Sequence, residues 1–408
     1  MEKIVNEINT NVESKKRWLY VFLGIIIMMC LGTVYSWSVF RISIEKIFDI
    51  GAAQSGLPYM ISLASYAVFM LLTGKHLDKY SPRTIIFIGS LLVGGGWILS
   101  GFANNIYVLT CTYGLITGAG VGIVYGVPMT VAAKWFPEKK GLIVGLVLVG
   151  FGLSPFITAP IAGYLIETYG VMAAFKILGA AFIVLMPAVA YPLSYPVESG
   201  YESAGKIRGA SAAAHGTSTS DMIKAKSFKG LYLSFMIGAM IGLMLIGMTS
   251  NVGIELIKLS KGKVVLLMSL FAVFNGVGRP TFGWITDRFS HKKAMLISYV
   301  LIIIASVFML MAGDGSVMLY AAAFSIFWFN LGGWLAIAPT STIAMYGAKH
   351  YSQNYGVIFT AYGIGAIIGV LASGMIKDAF SSYYAVFYFV IALCILGIVS
   401  SQKMIKVQ

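Results

Sequence analysis

One arginine in this chain stands where arginine is expensive. Arg279 lies within Phe274-Asn275-Gly276-Val277-Gly278-Arg279-Pro280, inside an apolar run from Val264 to Ile285. Its guanidinium is a planar fork of donors that stays charged and can bind a carboxylate through two parallel bonds. Asn275 precedes it by one helical turn on the same face and can donate its amide to the same anion. Pro280 cannot close the helical ladder, so a carbonyl nearby is freed. If the run crosses a bilayer, a charge at that depth costs about 3 kcal/mol or more unless something neutralises it. The competing reading ties Arg279 permanently to helix carbonyls or to a fixed acid.

The sequence offers no fixed acid at that depth. Asp78, Glu138, Asp287 and Asp314 fall at or beyond the ends of apolar runs, and Glu167 at the outer end of another. A buried cation without a partner is costly, so a mobile anion is the natural counter-charge. His76, His215, His291 and His350 all fall between the runs, so none offers an intramembrane proton carrier. Cys30, Cys111 and Cys394 sit inside runs and read as small core residues, with no disulfide framework. No metal-ligand cluster, nucleophile triad or phosphate-cradling loop stands out, so neither an enzyme nor a cofactor or metal is expected.

The elements that must hold Arg279 follow from composition. The chain is 58% hydrophobic and only 11% charged, with a mean hydropathy of +0.85, which implies an integral membrane protein. The apolar runs are long and continuous, which favours helices over barrel strands. Twelve are expected: Trp18–Phe40, Ser55–Gly74, Thr84–Phe102, Ile106–Ala133, Leu142–Ile166, Met172–Tyr191, Leu231–Ile254, Val264–Ile285, Ala294–Ala312, Val317–Tyr346, Tyr355–Met375 and Tyr384–Ser401. The first run outlasts a signal peptide and reads as a retained anchor. The net charge of +14 comes from basic residues in short loops, so it speaks for orientation and not for nucleic acid. With both termini in the cytoplasm, most Lys and Arg fall inside. Arg41, Lys46, Lys258, Lys261, Lys263 and Lys377 fall outside.

The chain also repeats itself. Residues 1–194 form one expected six-helix half and 227–408 the other. They are joined by a cytoplasmic linker, 195–226, whose Ser211–Ser220 stretch is low in apolar bulk. Gly74, Asp78 and Arg83 follow the second run, and Gly283, Asp287 and Arg288 follow the eighth. Asp78 and Asp287 stand 209 residues apart, while Pro128 and Pro339 stand 211 apart. Two landmarks at nearly one offset argue for duplicated halves. In such a loop the glycine lets helices approach and the carboxylate holds a cation or a helix N-terminus, which suits a conformational switch. Glycines at 114, 118, 122 and 126 give the fourth run a smooth strip for close packing.

With this loop pair in twelve spans the chain resembles the major facilitator superfamily. Gly118-Ala-Gly-Val-Gly-Ile-Val-Tyr125-Gly-Val-Pro128, Lys134-Trp-Phe-Pro-Glu-Lys-Lys-Gly141 and Gly32-Thr-Val-Tyr35-Ser-Trp-Ser-Val-Phe40 resemble its oxalate:formate antiporter family. The Asn275-to-Arg279 helix is similar to that family and to monocarboxylate transporters, where the arginine binds the substrate carboxylate. The resemblance implies an all-helical membrane fold of two pseudo-symmetric six-helix bundles around a central cavity. It also implies alternating access, a multi-pass place in the cell membrane with lipid as surroundings, and a monomer sufficient for function.

Oxalate exchangers of that family carry a second cation in the eleventh span, and here the aligned position is Tyr362. One central charge balances one carboxylate, so the resemblance implies a small monocarboxylate of the lactate, pyruvate, formate or acetate type. Tyr35, Tyr125, Trp328 and Tyr362 fall in spans that line the superfamily's cavity, with Asn330 beside them. A phenol there can bond a carboxylate while its ring contacts a short aliphatic tail. Core packing competes as a role for each of them. Two alternatives remain open: an oxalate or dicarboxylate exchanger drawing its second charge from Lys377 or Lys176, and a transport-inactive organic-acid sensor. Proton symport and anion exchange both stay compatible with the pattern.

Overall fold

The computed structural model describes residues 2–74, 79–136, 139–196, 216–347 and 350–405. Among these residues twelve helices are long and apolar enough to cross a membrane. In chain order they are α1 (Arg17–Phe48), α2 (Ala52–Gly74), α3 (Pro82–Ser100), α4 (Ile106–Trp135), α5 (Leu142–Tyr169), α6 (Val171–Ala190), α7 (Lys226–Gly247), α8 (Lys261–Phe289), α9 (His291–Met311), α10 (Val317–Tyr346), α11 (Gln353–Phe380) and α12 (Tyr384–Met404). Successive helices run antiparallel, so the chain ends lie at one end of the bundle, termed proximal below, and the other end is distal.

α1–α6 pack mainly among themselves, as do α7–α12. The halves meet where α5 lies along α8, α2 along α11, and the distal end of α1 reaches α7. The glycine strip of α4 works as its spacing suggests. A Cβ on Gly122 would stand 2.5 Å from the Tyr66 carbonyl oxygen, and one on Gly118 would clash with that of Ser62, so α4 lies backbone-to-backbone on α2. α8 and α10 touch in the same way, Gly278 against the Phe329 carbonyl and Gly332 against the Asn275 carbonyl. The contact between α8 and α10 keeps the Arg279 helix rigid on its own half.

Three expectations change. The first span does not end at Phe40. It continues to Phe48 through a 3₁₀ turn at Gly32–Ser36 and carries Arg41 into the bundle, where it is only 2% exposed. The cost is met because Arg41 donates to Ser55, Ala52, Gly247 and Glu45. The end of the linker is not loose. A short helix, Thr219–Lys224, buries Met222, while Asn354 donates to the Thr217 carbonyl at 3.0 Å and Thr219 bonds the Asn354 side chain at 2.8 Å. Residues 197–215 of the linker, and Asp78, lie outside the described residues.

The switch-loop glycines also do not mark close approaches here. A Cβ on Gly74 would meet nothing within 4 Å, and one on Gly283 only the Ala336 Cβ at 4.0 Å. Arg83 donates to the Leu193 carbonyl at 3.0 Å and lies over the Tyr191 ring, tying the start of α3 to the end of α6. Asp287 and Arg288 are exposed and line an open proximal groove with Lys226 and Lys403.

Replacing Gly118 by Leu is expected to cost about 1–3 kcal/mol or more through overpacking against the α2 backbone. Gly74→Leu is expected to be neutral. Thermal unfolding of the two purified variants in detergent checks this contrast.

Candidate functional site

Arg279 sits on α8 where that helix faces α5 of the other half. It is 3% exposed, and among the described residues none of its Nε, Nη1 and Nη2 atoms has a hydrogen-bond partner. The only aromatic ring recorded over the guanidinium among the described residues is that of Phe151, 6.0 Å away. Among the described residues no carboxylate pairs with it. The chain has therefore brought a full set of charged donors into its interior with no protein partner among the described residues. Buried donors are nearly always satisfied, and a bare guanidinium is the costliest exception.

A notch in α5 makes room for this. Gly152 faces the site, and a Cβ there would stand 2.5 Å from Asn275 Oδ1 and 3.3 Å from Arg279 Nε. The missing side chain at Gly152 leaves room for Asn275 and Arg279 at the seam between halves.

Asn275 is placed differently from the simplest expectation. Its amide nitrogen donates to the Trp328 carbonyl at 2.9 Å, while its Oδ1 has no partner. Its known bond fixes the side chain beside Arg279, so Asn275 orients the site and keeps only its second N–H for an anion. Trp328 joins through that backbone carbonyl. Its indole points elsewhere, donating to Thr249 Oγ1 at 3.2 Å. Asn330 donates to the Ile326 carbonyl of its own helix at 2.7 Å and makes no recorded contact with Arg279.

The tyrosines do converge. Tyr35, on the 3₁₀ turn of α1, and Tyr362 of α11 share a 2.8 Å bond between hydroxyls, linking the two halves beside the site. The Tyr35 ring stands 5.1 Å from Phe151, and Tyr125 stands 5.4 Å from the same ring on another side. Tyr66 and Phe359, which the sequence reading did not single out, complete the enclosure. Tyr66 touches Tyr125 at 5.0 Å and Tyr362 at 5.8 Å, and Phe359 stacks on Tyr362 at 4.9 Å. Tyr355 lies within electrostatic reach of Arg279. Residues 351, 355, 359 and 362 are aromatic at helical spacing, a signal that could have found this wall. The arrangement is one cationic fork beside a cluster of packed aromatic rings, chemistry that suits a small anion with one charge and a short apolar tail.

The two lysines that could have supplied a second charge are engaged elsewhere. Lys377 pairs with Glu255 at 3.3 Å at the distal end. Lys176 lies 3.8 Å over the Phe102 ring, also distal.

Residues 18–258 and 230–403 match the family model of the Major Facilitator Superfamily. The chain belongs to that superfamily. It is similar to the oxalate:formate antiporter of Oxalobacter formigenes, with 27% identity over 355 residues covering 86% of this chain and 83% of that protein. It is similar also to monocarboxylate transporter 12-B of Danio rerio, 26% identical over 403 residues, 91% of this chain and 83% of that one. A bacterial homolog of the human lysosomal transporter Spinster, solved inward-facing and unoccupied, shares its fold with a TM-score of 0.71 at 14% identity, over 95% of this chain and 96% of that one. This superfamily member is thus a multi-pass membrane transporter, and family membership points away from an enzyme.

Removing either hydroxyl of the Tyr35–Tyr362 pair is expected to weaken the seam between halves. Tyr35→Phe, Tyr362→Phe and the double variant should show a coupling energy of about 0.5–1.5 kcal/mol in denaturant unfolding. Fully additive single effects would mean that the hydroxyls do not cooperate.

Proposed function

We propose that this superfamily member is a secondary transporter of small monocarboxylates, of the lactate, pyruvate, formate or acetate type. The substrate carboxylate is held by Arg279 and its tail lies among Tyr35, Tyr66, Tyr125, Phe151 and Phe359. The observation that carries the reading is the buried, wholly unpartnered guanidinium at the seam between halves. An anion there supplies the missing charge, and a carrier whose empty site is costly gains most when it moves loaded. The two six-helix halves, 1–194 and 227–408, rock about this site, with both termini cytoplasmic, so that the distal end faces the exterior of the cell membrane.

A second reading, exchange of oxalate or another dicarboxylate, is favoured by the similarity to the oxalate:formate antiporter. The engagement of Lys377 and Lys176 elsewhere, and Tyr362 in the eleventh span, speak for one charge.

Proteoliposomes loaded with buffer or counter-anion and offered labelled lactate, pyruvate, formate and acetate test the reading. Arg279→Ala is expected to insert like the parent and to unfold no more easily, yet lose uptake by about a hundredfold or more, the scale of deleting one partner of a buried charge pair. Normal uptake of all four acids by that variant would refute it. Unlabelled oxalate is expected to compete poorly with labelled lactate. Tyr362→Lys is expected to raise oxalate competition at the expense of lactate, read as a reversal of their relative inhibition constants.

A further inference from the structure

The distal end holds a second set of buried charges that a carboxylate site at Arg279 does not use. Arg41 and Glu45 sit one turn apart on α1, with side chains 2% and 18% exposed. The two oxygens of Glu45 face different halves of the protein. Oε1 accepts from Arg41 Nε at 3.2 Å and from Ser55 Oγ at 2.6 Å, both in the first half. Oε2 accepts from Asn251 Nδ2 at 3.3 Å, in the second half. Arg41 reaches across as well, donating through Nη1 to the Gly247 carbonyl at 3.1 Å. Ser38 and Ser250 add a cross-half contact of 3.2 Å just below. Among the described residues, the hydrogen bonds that join the halves run from Tyr35–Tyr362 toward the distal end. This cluster is therefore a latch on one end of the pathway.

We propose that Glu45 is a proton-binding site, and that a proton taken from the exterior opens the latch. An ionised Glu45 accepts strongly with both oxygens, from Arg41 and Ser55 on one side and Asn251 on the other, whereas a protonated one keeps only one full acceptor oxygen. Protonation turns one oxygen into a donor, which meets Asn251 or Arg41 donor-to-donor. It also leaves Arg41 without its counter-charge in a buried setting, which favours exposing that arginine to water. High external pH therefore keeps the distal end shut, and falling pH opens it.

The other charges packed against Glu45 fit this assignment. Asn251 also donates to Glu255 Oε1 at 3.1 Å, so one amide holds two carboxylates. Glu255 has Lys377 as its own partner at 3.3 Å, whereas Glu45 has Arg41. Asp378 of α11 is occupied as an acceptor for the backbone N–H groups of Ala52 and Ala53, 2.9 Å each. The Tyr383 phenol lies in the field of Arg41, Glu45, Glu255 and Asp378. Glu45 alone among these acids bonds side chains of both halves. Its protonation therefore alters side-chain bonds on both sides of the seam at once, whereas Asp378 crosses the seam to backbone N–H groups. The inference does not depend on which anion Arg279 carries, and its test needs no substrate.

The test measures the distance across the distal end. Cys30, Cys111 and Cys394 are replaced by serine or alanine. Nitroxide labels are then placed at Asn104 of the first half and Met318 of the second, both exposed and distal. Distances are read by double electron–electron resonance in nanodiscs from about pH 8 to about pH 4.5, a range that spans ordinary and raised carboxylate titrations. The parent is expected to gain a longer-distance population severalfold as pH falls. Glu45→Gln is expected to show that population at every pH, and Glu45→Asp to keep the response. A parent distribution that ignores pH overturns the proposal. So does a response that survives in Glu45→Gln, or one that is lost in Glu255→Gln or Asp378→Asn while Glu45 is intact. Should Glu45→Gln fail to fold, Asn251→Ala, which removes the cross-half bond to Glu45 together with the bond to Glu255 inside the second half, is expected to raise the longer-distance population at high pH. No change there overturns the proposal equally.

Discussion

The structure is organised around an unneutralised charge. Burying a guanidinium without a partner opposes folding by several kcal/mol. That penalty must be outweighed by packing elsewhere, and the packing around Arg279 is unusually close. α8 lies on α10 through Gly278 and Gly332, with backbone against backbone, and Asn275 is fixed by a carbonyl from the same neighbour. The arginine is held by a rigid pair of helices and approached through Gly152 of the opposite half. A pre-organised cation of this kind would spend little on ordering for the proposed anion, which would leave the binding free energy available for closing the seam.

The seam itself has two chemistries. Around Arg279 it is aromatic, with a single hydroxyl pair joining Tyr35 to Tyr362. Toward the distal end it becomes ionic and amide-rich, with Arg41, Glu45, Asn251 and Asp378. Along α1 these tiers are about 15 Å apart, from the rise of 1.5 Å per helical residue. Aromatic faces slide past one another with little directional preference, whereas charged hydrogen bonds are made or broken. In the proposed cycle the site would accommodate its occupant gradually while the distal end would act as a discrete lock.

Much of this was legible in the sequence. Twelve apolar runs, the duplicated loops and Arg279 with Asn275 all follow from composition and spacing. What escaped did so for identifiable reasons. Arg41 looked like a loop residue because the apolar run stops at Phe40, and a linear hydropathy pattern cannot register that Ser55, Ala52 and Gly247 fold around a charge. Phe151 and Tyr66 are aromatic residues in membrane helices, where such residues are common, and only the tertiary arrangement separates this cluster from the rest of the core. Trp328 stands in a favourable span, but its indole turns toward Thr249, a matter of helix rotation that one sequence does not encode visibly. Gly74 and Gly283 suggested tight helix approach, but Gly74 has open space instead and Gly283 only an ordinary contact with Ala336.

The latch has one further property with consequences for sequence drift. Two of the acceptors on Arg41 are main-chain carbonyls, those of Ala52 and Gly247. Any amino acid at those positions would still present a carbonyl, so the acceptors do not vary with side-chain identity. Gly247 is nonetheless confined, since a Cβ there would stand 2.8 Å from the Tyr59 ring. The Arg41 arm of the lock is therefore inherited through one side chain whose keepers are largely backbone, whereas the Glu45 arm needs the Asn251 side chain as well. A change at Ala52 leaves the carbonyl in place, while a single codon change at position 41 would remove the fork outright.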